Sequence, residues 1–180
     1  MLRTTTETLS RFEQSIPWDI IPRTFQDAII FTRKLGLNFI WIDSLCIIQD
    51  DPRDWQEQSG VMAGIYSKAY ITLMAAAANG PDSGCFSRED RMVKTKETLA
   101  ILTAEGVRIS VFARQPLRQD GFPLLGRGWV FQERLLSPRV IYFASEELIW
   151  ECAQARKCEC GDGLGLNVRD DLLKAKTHLS

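Results

Sequence analysis

The residues best equipped for chemistry cluster between positions 43 and 55: Asp43, Ser44, Cys46, Gln49, Asp50, Asp51 and Trp55. They follow an apolar run, Phe39-Ile40-Trp41-Ile42, and precede a segment that starts with proline and carries helical spacing. A strand that opens into a polar loop and then a helix is where open α/β sheets bind ligands, outside the carboxyl ends of the strands. The unpaired N–H groups of a helix start favour anions there. An acid closing an apolar strand, as Asp43 would, needs a partner or a ligand. Asp50 and Asp51 also have a plainer use as caps of the helix that Pro52 opens. Cys46 is a candidate reactive thiol, although a small cysteine in such a place is more commonly just packed.

A second group gathers at Arg127, Trp129, Gln132, Glu133 and Arg134. Taken alone it reads as a solvated helix with an Arg–Glu pair of little energetic weight. A third comprises Cys152, Cys158 and Cys160, thiols close enough to suggest zinc. They lack the usual paired two-residue spacing and have no histidine to complete a site. The one histidine, His178, stands close to the last residue, a poor place for a general base. Histidine-dependent nucleophilic catalysis is thereby excluded. Chemistry in this chain must rest on carboxylates, thiols, arginines or backbone groups.

The elements that would hold these groups are legible from apolar periodicity. Phe25, Ala28, Ile29, Thr32 and Leu35 share one face of a helix from Pro22 to Leu35, with Gly36 as its stop. Asn38 to Asp43 is expected as a short strand buried on both faces, since its apolar run does not alternate. Trp55, Met62, Ile65 and Tyr66 form the stripe of the next helix. A strand from Ala69 to Ala76 follows, so helix and strand alternate as in parallel βαβ winding. Residues 79–90 and 115–126 are rich in turn signals. Leu99 to Ala113 reads as two strands joined at Glu105-Gly106, an inserted antiparallel hairpin. Gly128 to Leu135 is expected as a short helix, and Arg139–Phe143 and Glu147–Cys152 as strands. A glycine-rich tract, Gly161–Gly165, leads to a helix from about Asn167.

Composition sets outer limits. The chain has 180 residues, 45% hydrophobic and 25% charged, ordinary values for one globular domain with a real core. Its formal charge of −1 gives no general attraction to nucleic acid or anionic membrane. No apolar run approaches a membrane-spanning length, and the first residues lack a signal-peptide core. An intracellular setting is therefore expected. An odd count of five cysteines argues against a disulfide framework.

The segment IPRTFQDAIIFTRKLGLNFIWIDSLCIIQDDPRDW, continuing to Met62, Ile65 and Tyr66, resembles the fungal heterokaryon incompatibility (HET) domain. RGWVFQERLLSPRVIYF, followed by LIWEC, resembles the later block of the same family. The resemblance spans residues from about 20 to 160, in the expected order. It divides the chain into a lead-in (1–20), the domain (21–160) and a tail (161–180). It implies a flavodoxin-like parallel sheet flanked by helices, distantly similar to Toll/interleukin-1 receptor (TIR) domains, with the hairpin as an elaboration. It also implies a cytoplasmic role in non-self recognition leading to programmed cell death.

Some TIR domains cleave NAD+ with a glutamate near a tryptophan. The resemblance thus implies NAD+ as a substrate, with no resident cofactor and no metal. The alternative is a non-catalytic module that self-associates or docks other HET or signalling domains. Two departures matter. The family's acid three residues after the tryptophan is here Gln58, and Glu57 stands one position earlier. One residue turns a side chain by about 100° around a helix, so Glu57 does not inherit the position. The catalytic candidates are accordingly Gln58, Glu57 and Glu133. Family members also open with a strand resembling YVALSYCWG, which residues 1–20 lack. The fold is therefore expected to miss its usual first strand and to need cover for a sheet edge.

Overall fold

The computed structural model describes residues 2–86, 97–102, 108–113, 124, 128–144 and 147–159, with backbone alone described for the two middle strands. Arg127, the Glu105-Gly106 turn and the expected C-terminal helix lie outside the described residues.

Apolar residues of four strands build a mixed sheet in the order β1-β4-β5-β6. These are β1 (Thr72–Met74), β4 (Arg139–Phe143), β5 (Leu148–Cys152) and β6 (Arg156–Cys158). β1 pairs parallel with β4, placing Met74 opposite Tyr142. β4–β5 and β5–β6 pair antiparallel. The expectation of a parallel sheet therefore gives way to a mixed one. The short connections from β4 to β5 and from β5 to β6 are the reason, because a parallel pair needs a crossover of a dozen or more residues. The inserted hairpin forms a separate two-stranded antiparallel sheet of β2 (Glu97–Leu102) and β3 (Arg108–Ala113).

Successive residues of a strand face opposite sides of a sheet. Tyr142 and Phe143 are both buried, so β4 is covered on both faces. On one face, Phe31 from α2 (Arg23–Lys34) meets Phe143 edge-on at 5.2 Å, and Phe86 meets it at 5.6 Å. On the other, Val130 from α5 (Gly128–Leu136) joins Met74, Val140, Tyr142 and Ile149 in the core. Each such apolar side chain contributes roughly 1.5–3 kcal/mol when fully buried. α2 ends as the sequence suggests, with Gly36 at φ 74 beyond its last turn. α4 (Pro52–Lys68) packs against α5.

Two expectations are corrected. Residues 38–42 form no strand, and Phe39 is 92% exposed. Apolar composition supplies propensity, but a strand also needs a ladder partner. Among the described residues β1 pairs with β4 and with no second strand. Asp43 accordingly opens a one-turn helix, α3 (Asp43–Cys46), rather than ending a strand.

The lead-in docks on the loop around α3. Thr4 is buried, its N–H donates to the Ser44 carbonyl at 2.8 Å, and its hydroxyl donates to the Leu45 carbonyl at 2.6 Å. The Gln49 N–H returns a bond to the Thr4 carbonyl at 2.9 Å. Polar composition hid this docking because its bonds are mostly main-chain, and every residue except proline can make them. A short helix, α1 (Leu9–Gln14), follows.

Candidate functional site

Most of the first motif surrounds the start of α4. Asp51 caps that helix, accepting from the Arg53 N–H at 2.8 Å and the Asp54 N–H at 3.4 Å. Asp50, the other capping candidate, accepts instead from the Thr6 N–H at 2.8 Å and the Thr6 hydroxyl at 2.9 Å. The Thr6 backbone bond, followed by its hydroxyl bond, holds the Asp50 carboxyl below its usual range. Gln49, Asp50, Asp51, Pro52 and Trp55 line an open depression of about 410 Å³. Trp55 is 54% exposed on its rim. The Gln49 side-chain amide donates to the carbonyls of Ile47 (3.1 Å) and Asp43 (3.3 Å), tying this depression to α3.

α3 places Asp43 at the surface, with its Oδ1 accepting from the Ser44 N–H at 2.6 Å. Ser44 is buried, and its hydroxyl has no hydrogen-bond partner among the described residues. Cys46 is exposed. From α5, Glu133 approaches Tyr66 on α4. Burial raises the Tyr66 pKa first, and the charges of Glu133 and Asp43 raise it further, with added hydrogen bonding from Glu133. The Tyr66 ring also meets Trp41 edge-on at 5.7 Å. The two sequence motifs thus converge electrostatically on one phenol.

The remaining candidates are dispersed. Glu57 is exposed. Gln58 is half-buried, and its amide donates to Asp54 Oδ1 at 3.3 Å. Trp129 and Gln132 lie on the exposed side of α5. Arg134 turns inward, away from any surface site. Its Nε lies 3.1 Å from both Glu151 oxygens and its Nη2 2.6 Å from Oε2.

One comparison bears on what this arrangement is. The family model described as heterokaryon incompatibility protein (HET) matches residues 3–133, well over half of the chain. The chain belongs to the heterokaryon incompatibility family. No curated protein and no solved structure matches it. The HET match takes in the Thr4 and Thr6 clamp, the depression at α4 and both acids whose charges raise the Tyr66 pKa. Arg134, Glu151 and the rest of the sheet's charged core fall beyond it.

Several residues of this HET domain escaped sequence reasoning. Tyr66 was read as part of an apolar stripe, and its hydroxyl was the available signal. Asp54 fastens the preceding loop by accepting from the Ile48 N–H at 2.7 Å. Its place directly before Trp55 was visible, but its partner was not. Glu151 shares strand parity with buried Ile149 and was legible as an acid on an inward face. Among the described residues, no group of three His, Cys, Asp or Glu is placed to hold a metal. Cys158 is disulfide-bonded, a point the cysteine count could not reveal. No helix among the described residues is long and apolar enough to cross a membrane.

Proposed function

We propose that this HET domain is a cytoplasmic cell-death effector of fungal incompatibility that cleaves NAD+ at the nicotinamide–ribose bond. The observation that carries the reading is the convergence of Asp43 and Glu133, from two motifs far apart in sequence, on Tyr66. Such a site suits a reaction without histidine. The C1′–N bond breaks, and nicotinamide leaves with the bonding pair. A carboxylate stabilises the oxocarbenium-like ribosyl cation, as in glycosidases. Water then adds to C1′ and gives up a proton, leaving ADP-ribose.

In this reading Glu133 is the stabilising carboxylate, and Asp43 holds ribose hydroxyls in a reactive pose. Ser44, Gln49, Asp50, Trp55, Trp129 and Gln132 would border the substrate. NAD+ is the substrate, and no resident cofactor takes part. A TIR-like ancestry is consistent with the parallel β1–β4 pair and with helices on both faces of β4. Incubating the purified protein with NAD+ and following nicotinamide release tests the proposal. Release that falls at least about 100-fold in Glu133→Gln, in keeping with the usual weight of a catalytic carboxylate, supports it. No release from the parent chain at any protein concentration overturns it.

A second reading is a non-catalytic module that self-associates or docks other HET or signalling domains. It is favoured by Gln58 in place of the family's acid and by exposed aromatics. Phe39 is 92%, Trp129 71% and Phe131 56% exposed. Exposed aromatics of this size are candidate anchors for a partner. Light scattering over a range of concentrations distinguishes this reading. A strict monomer that binds no HET or signalling partner counts against it.

A further inference from the structure

A buried charge cluster lies where α5 meets the sheet, on the inward side of Arg134. Glu151 on β5 pairs in register with Arg156 on β6. The Glu151 carboxylate accepts from Arg134 Nε and Nη2, and from the Tyr142 hydroxyl at 3.1 Å. Arg156 reaches that carboxylate only loosely, with Nε 3.8 Å from Oε2. Its side chain is 9% exposed. Its Nε and Nη1 are sealed from solvent and have no hydrogen-bond partner among the described residues.

Electrostatics sharpen the imbalance. The groups that bear on Arg156 are Glu151, Arg134 and Tyr142. Arg134 and Arg156 both stack on the Tyr142 ring, at 5.6 and 5.7 Å. Among the described residues, two guanidinium groups therefore share the Glu151 carboxylate beside a neutral phenol. Arginine cannot relieve the excess by losing its proton. Burial and the nearby Arg134 oppose its charge, and the attraction of Glu151 does not make up the difference. The cation–π contact recovers a part of the cost but satisfies no N–H.

We propose that Arg156 is the receptor for a small oxyanion, a phosphate or carboxylate group, at a site distinct from the Asp43–Tyr66–Glu133 surface. A planar guanidinium offers paired N–H donors that match either group. A bound oxyanion would supply the missing acceptor and balance the second positive charge. This inference does not rest on NAD+ cleavage, since Arg134 and Glu133 are adjacent on α5 and diverge by about 100° around the helix.

The test is thermal melting of the whole protein in chloride, phosphate or acetate at matched ionic strength and pH. A single site occupied at about a hundredfold excess over Kd raises Tm by roughly 5–10 °C in a chain of this size. A saturable rise with phosphate alone assigns the site to a phosphoryl group. A rise with acetate as well assigns it to oxyanions in general. Either response should vanish in Arg156→Met and weaken in Arg156→Lys. No saturable rise, or an equal rise in Arg156→Met, overturns the proposal. Should Arg156→Met fail to fold, calorimetric titration of the parent protein with inorganic phosphate decides. One-to-one binding supports the site, and no binding heat at several temperatures refutes it.

Discussion

The Gln58 side-chain amide donates to Asp54 Oδ1 at 3.3 Å, one turn back on α4, while Asp54 Oδ2 accepts from the Ile48 N–H at 2.7 Å. The neutral amide therefore supports the acid that fastens the loop before the helix. Gln58→Glu would set two carboxylates face to face at i,i+4. Like charges so spaced cost about 0.2–0.5 kcal/mol on a helix. Urea unfolding should show a stability deficit of that size at pH 7. A variant as stable as the parent at pH 7 would remove the supporting role given to Gln58.

Glu151 should matter more than Arg134, although they bond to each other. Removing Arg134 leaves Glu151 with Arg156 as a ready partner at 3.8 Å. Removing Glu151 leaves two buried guanidinium groups facing each other. Breaking a buried pair costs about 3–5 kcal/mol. Glu151→Gln is expected at the upper end and Arg134→Met below it. Denaturant midpoints of the two variants check the order, and the reverse order would contradict the shared-carboxylate arrangement.

Gly84 marks a place where a methyl group does not fit. Its φ is +80, and a Cβ there would stand 2.8 Å from Asp27 Oδ2. That oxygen cannot easily retreat. It accepts from the Cys85 N–H at 2.9 Å, and Oδ1 lies 3.1 Å from Arg23 Nε. Strain of this kind costs on the order of 1–3 kcal/mol. Gly84→Ala should lower the urea midpoint accordingly. Gly80→Ala, with nothing within 4 Å, should change it little.

The thiols should separate by reactivity and by pH. Cys46 is exposed, whereas burial, aided by the Asp27 charge, pushes Cys85 up to about 12. Iodoacetamide at pH 8 should modify Cys46 in the folded protein and Cys85 only on unfolding. The unfolded chain releases the Cys85 proton near 9, while the folded chain holds it to about 12. Stability is therefore level below pH 9 and falls between 9 and 12, by up to about 1.4 kcal/mol per pH unit. Tyr66 and Tyr142, both raised above 10, act in the same direction at higher pH. A urea midpoint unchanged from pH 8 to pH 10.5 would contradict this.

Helices were the most legible part of the fold. α2 and α4 fall where apolar spacing, Pro22, Pro52 and Gly36 put them, because these are local signals of backbone conformation. β4, β5 and the hairpin strands were also readable from short apolar or alternating runs. The run Phe39–Ile42 failed for a non-local reason. Its residue types favour a strand, but no described strand lies beside it to complete the ladder. The site was half legible. Residue types singled out Asp43 and Glu133 as candidates, but not Tyr66, whose pKa burial and then those two charges raise.

By itself the sequence determined the family and the places of α2, α4 and α5 and of strands β1 to β5. Those follow from residue identity and spacing within short stretches. The tertiary structure decided how each polar group is used. It gave Asp51 the cap and Asp50 to Thr6, turned Gln58 toward Asp54, and sent Arg134 inward to Glu151. It also left Arg156 buried without a full set of partners. Side-chain partners are fixed by packing between elements far apart in the chain, and burial then decides what each charge must find.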